Sequence, residues 1–254
     1  MINGCNFTVT NFQFMLSTSN KPKVVPSCDK CESSTNSIFC VLNKIELAAL
    51  SENKSYISYR KGQLIFYEGN HPQGLYCIYS GKVKIHKLGH DGRDQILRLA
   101  KSGNVIGYRA LLSDDTYHAS ATAIEDSLVC FFPRGVYQNQ IAPNPTLSLE
   151  IIKMLSGDLK QAEQKAMNMV QKEVKERIAE TILMLKDFFG LEEDNATINI
   201  VLTRESIGNI AGTTTETTIR VLSEFHKMKI IGLVGKKIKI LNNKELIRIA
   251  NLTD

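Results

Sequence analysis

The sequence predicts an α+β chain: an antiparallel β-barrel or sandwich, then a long helix, then a helix-turn-helix with a strand pair behind it. Three observations carry this. Between Tyr59 and Pro133, short β-like runs alternate with turns containing Gly or Asp. From Thr146 to about Phe189 that punctuation stops, apart from Gly157. Past Thr203, two helical stretches separated by Gly212 lead into the strand–turn–strand pattern "IIGLVGKKIKIL".

Composition bounds the rest. A chain of 254 residues exceeds the usual single-domain size and can bury one large core or two modest ones. Hydrophobic content of 43% and charged content of 22% are those of a soluble globular protein. No apolar run reaches membrane-spanning length, and "MINGCNFTVTNFQFML" lacks a basic start followed by an unbroken apolar core. A cytoplasmic protein without a membrane partner is expected. Six cysteines in a reducing compartment then read as thiols or metal ligands. The net charge of +5 is uneven: from Asn195 onward, nine Lys and Arg face five Asp and Glu, which suits a polyanionic partner.

In chain order, residues 1–40 form a polar extension ending in "PSCDKCESSTNSIFC". Residues 41–145 hold the β-domain: "KGQLIFYEGN" ends at Gly69-Asn70, "GLYCIYSGKVKIHKL" is two strands around Ser80-Gly81, "GHDGRDQILRL" turns at Asp91-Gly92, and "HASATAIEDSLVCFFP" completes the set. Residues 146–172 form a helix on which Ile152, Leu155, Leu159, Ala162, Ala166 and Met169 follow three- and four-residue steps, a seam of about two and a half heptads. Small Ala162 and Ala166 would let a second copy approach closely; the bland alternative is packing on its own β-domain. Residues 173–254 open with a new helix, whose apolar stripe is Val174, Ile178, Ile182 and Leu185.

The last segment is the most informative. Thr203 reads as the N-cap of a helix over 204–211, and Gly212 permits the tight turn. A second helix runs from about Thr214 to Met228. It presents Thr213, Thr214, Thr215, Glu216, Thr217 and Arg220 near its start, with Ile219, Val221, Leu222 and Phe225 counted toward its core face. Lys236, Lys237 and Lys239 lie near the tip of the strand pair. Hydroxyls and cations placed so can hold phosphates and read base edges in a major groove of double-stranded DNA. No nucleophile–base set, Walker or Rossmann glycine pattern or His-based metal motif argues for an enzyme. The rival class is a metal- or ligand-binding regulatory module that acts through protein partners without DNA.

From about Cys28 onward, the chain resembles the CRP/FNR family of bacterial transcription regulators. The residues that carry the likeness are "YRKGQLIFYEGN", "GLYCIYSGKVKI", "DGRDQILRL", "GNVIGYRALL", "EDSLVCFFP" and "TRESIGNIAGTTTETTIRVLSEF". The resemblance implies a cyclic-nucleotide-binding-like β-roll, a dimerisation helix and a winged helix-turn-helix. It also implies a homodimer on a palindromic site and RNA polymerase as a further partner. Glu216 and Arg220 match the two residues with which the family reads bases, and Thr203, Arg204, Thr214, Thr215, Thr217, Lys236 and Lys237 complete the expected DNA surface. Ile219 stands where FNR-type proteins carry Ser, so the half-site is expected to differ.

The resemblance also frames the effector. Cyclic AMP is disfavoured: Gly107-Tyr108 and Ala119-Ser120 stand where the family's nucleotide binders have Gly-Glu and Arg-Ser, with Arg109 one position displaced. FNR-type sensors hold a [4Fe-4S] cluster with three N-terminal cysteines and one in the β-roll. Cys28, Cys31 and Cys130 match three of these, but a gapless comparison through "LNKIEL" puts Ser37 at the remaining position, with Cys40 one helical turn later. Cys28, Cys31, Cys40 and Cys130 are therefore the candidate set for a cluster or for zinc, against free thiols. Cys5 is a distant extra, and Cys77 in "LYCIY" reads as a small core residue. Haem ligation by His86, His90 or His118 is disfavoured by their polar or turn contexts. Ala162 falls where FNR-type proteins carry an acid on the dimer helix, which predicts a dimer that forms without a cluster.

Overall fold

The computed structural model describes residues 27–31, 37–89, 92 and 94–252. The N-terminal extension up to residue 26, with Cys5, and His90 lie outside the described residues. A 3₁₀ turn at Cys28–Lys30 and another at Ile38–Val41 precede helix α1 (Lys44–Glu52). Asn43 caps α1 through a capping box with Glu46.

Two four-stranded antiparallel sheets follow. One has the order β1 (Ser55–Tyr59), β8 (Ser127–Pro133), β3 (Gly74–Ser80), β6 (Val105–Ile106). The other runs β2 (Leu64–Phe66), β7 (Ser120–Ala123), β4 (Lys82–Leu88), β5 (Asp94–Lys101). Their facing residues, among them Ile65, Ile78, Val83, Ile85, Ala121 and Val129, make one core. A short helix α2 (Tyr108–Ser113) follows β6.

The period-2 alternation of strands splits β3 and β8 between two environments. Ile78 and Val129 face the core between the sheets, with Tyr76 packed against it. Leu75, Cys77, Cys130 and Phe132 face outward, into a second core roofed by Phe39, Leu42, Leu47, Leu50, Leu147 and Ile151. Helix α3 (Arg134–Val136) runs into a π turn at Tyr137–Ile141, and the long helix α4 (Pro145–Gln171) starts over that second core. Asn144 caps α4, with Pro145 in its first turn.

Along α4 the seam residues Ile152, Leu159, Ala162, Ala166 and Met169 are exposed, and Leu155 is half-buried. Helix α5 (Val174–Phe189) then packs with α6 (Arg204–Ala211), α7 (Thr215–Lys227), α8 (Asn243–Ile249) and the hairpin β9 (Ile231–Val234)–β10 (Lys237–Ile240) around a third core. α1, α2 and α8 are elements the sequence reading did not name. Among the described residues no helix is long and apolar enough to cross a membrane.

Candidate DNA-reading helix and a cysteine-lined cavity

The helix pair at the C-terminus is built by local chemistry. Thr203 caps α6, its hydroxyl accepting from the Ser206 N–H at 3.0 Å, and Thr214 caps α7 by accepting from Thr217 at 3.2 Å. Gly212 turns the chain at φ +67°, in the left-handed region. The helices meet where Gly208 faces Thr218: a Cβ on Gly208 would lie 2.7 Å from Thr218 Oγ1 and 3.0 Å from the Thr213 carbonyl. Thr218, Val221, Leu222 and Phe225 bury one face of α7. Ile219 does not join them: it is 48% exposed, beside exposed Glu216 and Arg220. The threonines split, with Thr214 exposed and Thr215 and Thr217 half-buried.

Not every expected cation is presented in the same way. Arg204 donates to the Gly235 carbonyl at 3.0 Å and so ties α6 to the hairpin tip. Lys237 is held 2.6 Å from Glu192 and Lys239 3.1 Å from Asp194, whereas Lys236 is exposed. These ion pairs link the net-acidic segment before Asn195 to the hairpin. Thr214, Glu216, Ile219 and Arg220 on α7 and Lys236 on the hairpin are exposed.

At the other end of the chain, Cys28, Cys31, Cys77 and Cys130 line one cavity with Phe39, Lys54, Tyr79 and Phe132. Cys77 and Cys130 are direct cross-strand partners in the β3–β8 ladder. Lys54 Nζ lies 3.3 Å from Cys28 Sγ, and the Cys28 N–H donates to Ser51 Oγ at 2.8 Å. Cys40 is exposed on the 3₁₀ turn whose inward residue is Phe39, and it does not line the cavity. Burial pushes the Cys77 thiol up to about 12 and the Cys130 thiol up to about 11, so both stay protonated at neutral pH unless a metal displaces the proton.

Four thiols on one cavity have the chemistry of a thiolate site, but their spacing as placed does not close on a metal ion. Four sulfurs with Phe39, Phe132 and Tyr79 around them supply both ligands and an apolar shell. Among the described residues no three His, Cys, Asp or Glu side chains converge on one ion-sized point. A tetrahedral zinc would need its sulfurs about 3.8 Å apart. The cavity itself is about 20 Å³, roughly one water. A larger group therefore requires movement of the lining, of which the 28–31 turn and Lys54 are neither strand nor ring-bearing core.

The inner face of the roll is differently furnished. Phe66 stacks on Tyr117 at 4.1 Å between centroids, and Tyr76 lies 5.7 Å from Phe66 and 5.0 Å from Phe131. Tyr108 points away to Asp158 on α4, to which its hydroxyl donates. Arg98 of β5 donates to the same carboxylate at 2.8 and 2.9 Å. Ser120 Oγ accepts from the Glu68 N–H at 3.0 Å. His86 meets Thr122 at 2.8 Å, and His118 is exposed beside Asp115.

Comparison with known proteins agrees with this arrangement. A cyclic nucleotide-binding domain matches residues 56–144, and a Crp-like helix-turn-helix domain matches residues 176–249. The fumarate and nitrate reduction regulatory protein of Vibrio cholerae is 31% identical over 230 residues, covering 89% of this chain and 91% of the relative. Its namesake in Escherichia coli K12 is 32% identical over 231 residues, with 89% and 91% covered. Among solved structures, FixK2 from Bradyrhizobium japonicum superposes with a TM-score of 0.68 at 27% identity, covering 79% of this chain and 99% of that one. A regulator from Eubacterium rectale shares the fold, with a TM-score of 0.72 at 18% identity over 85% of this chain and 98% of that one. With a sensor roll, a long helix and a winged reading head in the order its relatives share, the chain belongs to the CRP/FNR family of transcriptional regulators.

Proposed function

We propose that the protein acts in the cytoplasm as a homodimer, reads a palindromic site with α7 of each protomer, contacts RNA polymerase, and answers to a redox or gas signal through an iron–sulfur cluster. The observation that carries the sensing part is that Cys28, Cys31 and Cys130 line one cavity in the core covered by the start of α4. Cys28, Cys31 and Cys130 would hold the cluster, which would supply oxidisable chemistry there.

The chain's own residues do the remaining work. Lys54 offsets negative charge at Cys28, and Phe39 and Phe132, 5.1 Å apart, limit water. The exposed apolar row Ile152, Leu159, Ala162 and Ala166 supports pairing of two α4 helices. At the reading head, Arg220 is placed to fork onto guanine and Glu216 to accept from cytosine N4, while Ile219 offers an apolar contact such as a thymine methyl. Aromatic packing by Phe66, Tyr76 and Tyr117 at Gly107 supports an effector other than a cyclic nucleotide.

The test is anaerobic purification with iron, sulfide and zinc assays, a visible spectrum, and sizing before and after air. Gel shifts on palindromes with G·C-containing half-sites across salt concentrations complete it. Stoichiometric iron and sulfide with an air-bleached band, and DNA affinity that falls steeply with salt, are expected. A colourless dimer without iron or sulfide refutes the sensing mechanism, and no sequence preference in a random-site selection refutes the DNA reading.

A further inference from the structure

We infer that Cys77 completes the ligand set with Cys28, Cys31 and Cys130, and that Cys40 takes no part. This deepens the cluster reading above and rests on it. In the β3–β8 register Cys77 stands directly opposite Cys130, and both point to the outer face of the sheet. Both line the cavity that Cys28 and Cys31 close from above. Cys40 is turned to solvent, because the 3₁₀ turn at Ile38–Val41 buries Phe39 instead.

Ser37 explains why a strand cysteine is needed. It occupies the position at which the family resemblance expects the third N-terminal thiol, yet its side chain is an alcohol. It is buried, and its Oγ lies 3.9 Å from Cys77 Sγ. The thiol missing from the loop is thus present one side chain away, on a strand that faces the same space. A ligand held by a ladder inside a sheet is more rigidly placed than one on an exposed turn. Metal binding would release the proton from each of the four thiols, the buried Cys77 included.

The test uses the full chain reconstituted anaerobically with ferrous iron and sulfide, and reads iron and sulfide per chain and the visible band. Wild type and Cys40→Ala should both hold about four of each. Cys77→Ala and Cys77→Ser should hold at least about tenfold less at limiting iron. Adding Ser37→Cys to Cys77→Ala should restore the band, because the new sulfur lies beside the vacated one. That double variant separates ligand loss from misfolding, and far-UV circular dichroism checks the single variants. A folded Cys77 variant with wild-type iron overturns the inference while leaving the cluster reading intact, as does loss of iron in Cys40→Ala. A wild-type chain that takes up no iron overturns both, so the two failures are distinguishable.

Discussion

The contact between the sensor roll and the long helix is open to a quantitative test. Arg98 on β5 and Asp158 on α4 form a two-point contact at 2.8 and 2.9 Å, and Tyr108 bridges them by accepting from Arg98 at 3.2 Å and donating to Asp158. The side chains are 29% and 19% exposed, neither surface nor buried. An exposed pair contributes at most about 1 kcal/mol. Removing one partner of a fully buried pair costs about 3–5 kcal/mol. Asp158→Ala therefore costs about 2 kcal/mol, because it strands both a guanidinium and the hydroxyl of a buried tyrosine. Arg98→Ala leaves Tyr108 as a donor to the carboxylate and costs about 1.5 kcal/mol. A coupling energy of about 1–1.5 kcal/mol follows from a double-mutant cycle read by urea unfolding, with Asp158→Ala lowering the melting temperature by about 4–8 °C. A coupling below about 0.3 kcal/mol would mean that roll and helix are not tied here.

Five further outcomes are expected. Arg220→Ala should cost about 1–3 kcal/mol per half-site and relax preference at one base pair, whereas Lys236→Ala should weaken all sequences alike and reduce the salt slope by about one per protomer, both read by gel shift. Gly208→Ala should destabilise the reading head by about 1–3 kcal/mol, because its Cβ meets the Thr213 carbonyl as well as Thr218, and a thermal melt will show it. In the proposed pairing of two α4 helices, Ala162→Asp places facing carboxylates in the seam and should raise the dimer dissociation constant about a hundredfold or more by sedimentation. His86 is held below its ordinary value by burial first and then by Lys84, which together outweigh the opposite pull of Asp94, 3.1 Å from its Nδ1. The native ring is thus neutral where the unfolded one protonates, so stability should fall as pH drops below about 6.5. His86→Gln should flatten that fall in urea titrations at pH 7.5 and 5.5.

What the sequence made legible is what short-range chemistry decides. Thr203, Gly212 and Thr214 specify caps and a turn within a few residues of themselves, and the helix pair falls where those residues predict it. The α4 periodicity likewise needs no partner strand to be seen. The misses are non-local. Cys77 is the core residue that "LYCIY" suggests, but that it stands opposite Cys130 follows only from the β3–β8 register. The ion pairs of Lys237 and Lys239 with Glu192 and Asp194, more than forty residues away in sequence, cannot be read from the hairpin alone. Ile219 reads as core because it is apolar, but at the third position after Glu216 it falls on that residue's side of α7.

The alternation of two strands also gives the roll two separate faces on which a bound group would act. Residues of β3 and β8 that point between the sheets meet Phe66 and Tyr117, which occupy the space beside Gly107. Those that point outward share a core with Leu147 and Ile151 of α4. A ligand inside the roll would act on the aromatic cluster, whereas a group bound at Cys28, Cys31 and Cys130 would act on the core beneath the helix that leads to the reading head. Farther along α4, Asp158 is tied to Arg98, and Lys165 donates to the Ile96 carbonyl at 3.0 Å. Near its end, Asn168 donates to Glu180 of α5, and Met169 sits against Gly212 between the two reading helices. A displacement at the start of α4 thus has an unbroken run of packed and hydrogen-bonded contacts to the helix-turn-helix. The Arg98–Asp158 cycle probes its middle, because cutting that tie should weaken the dependence of DNA affinity on the state of the cysteine cavity while leaving the cavity's own chemistry unchanged.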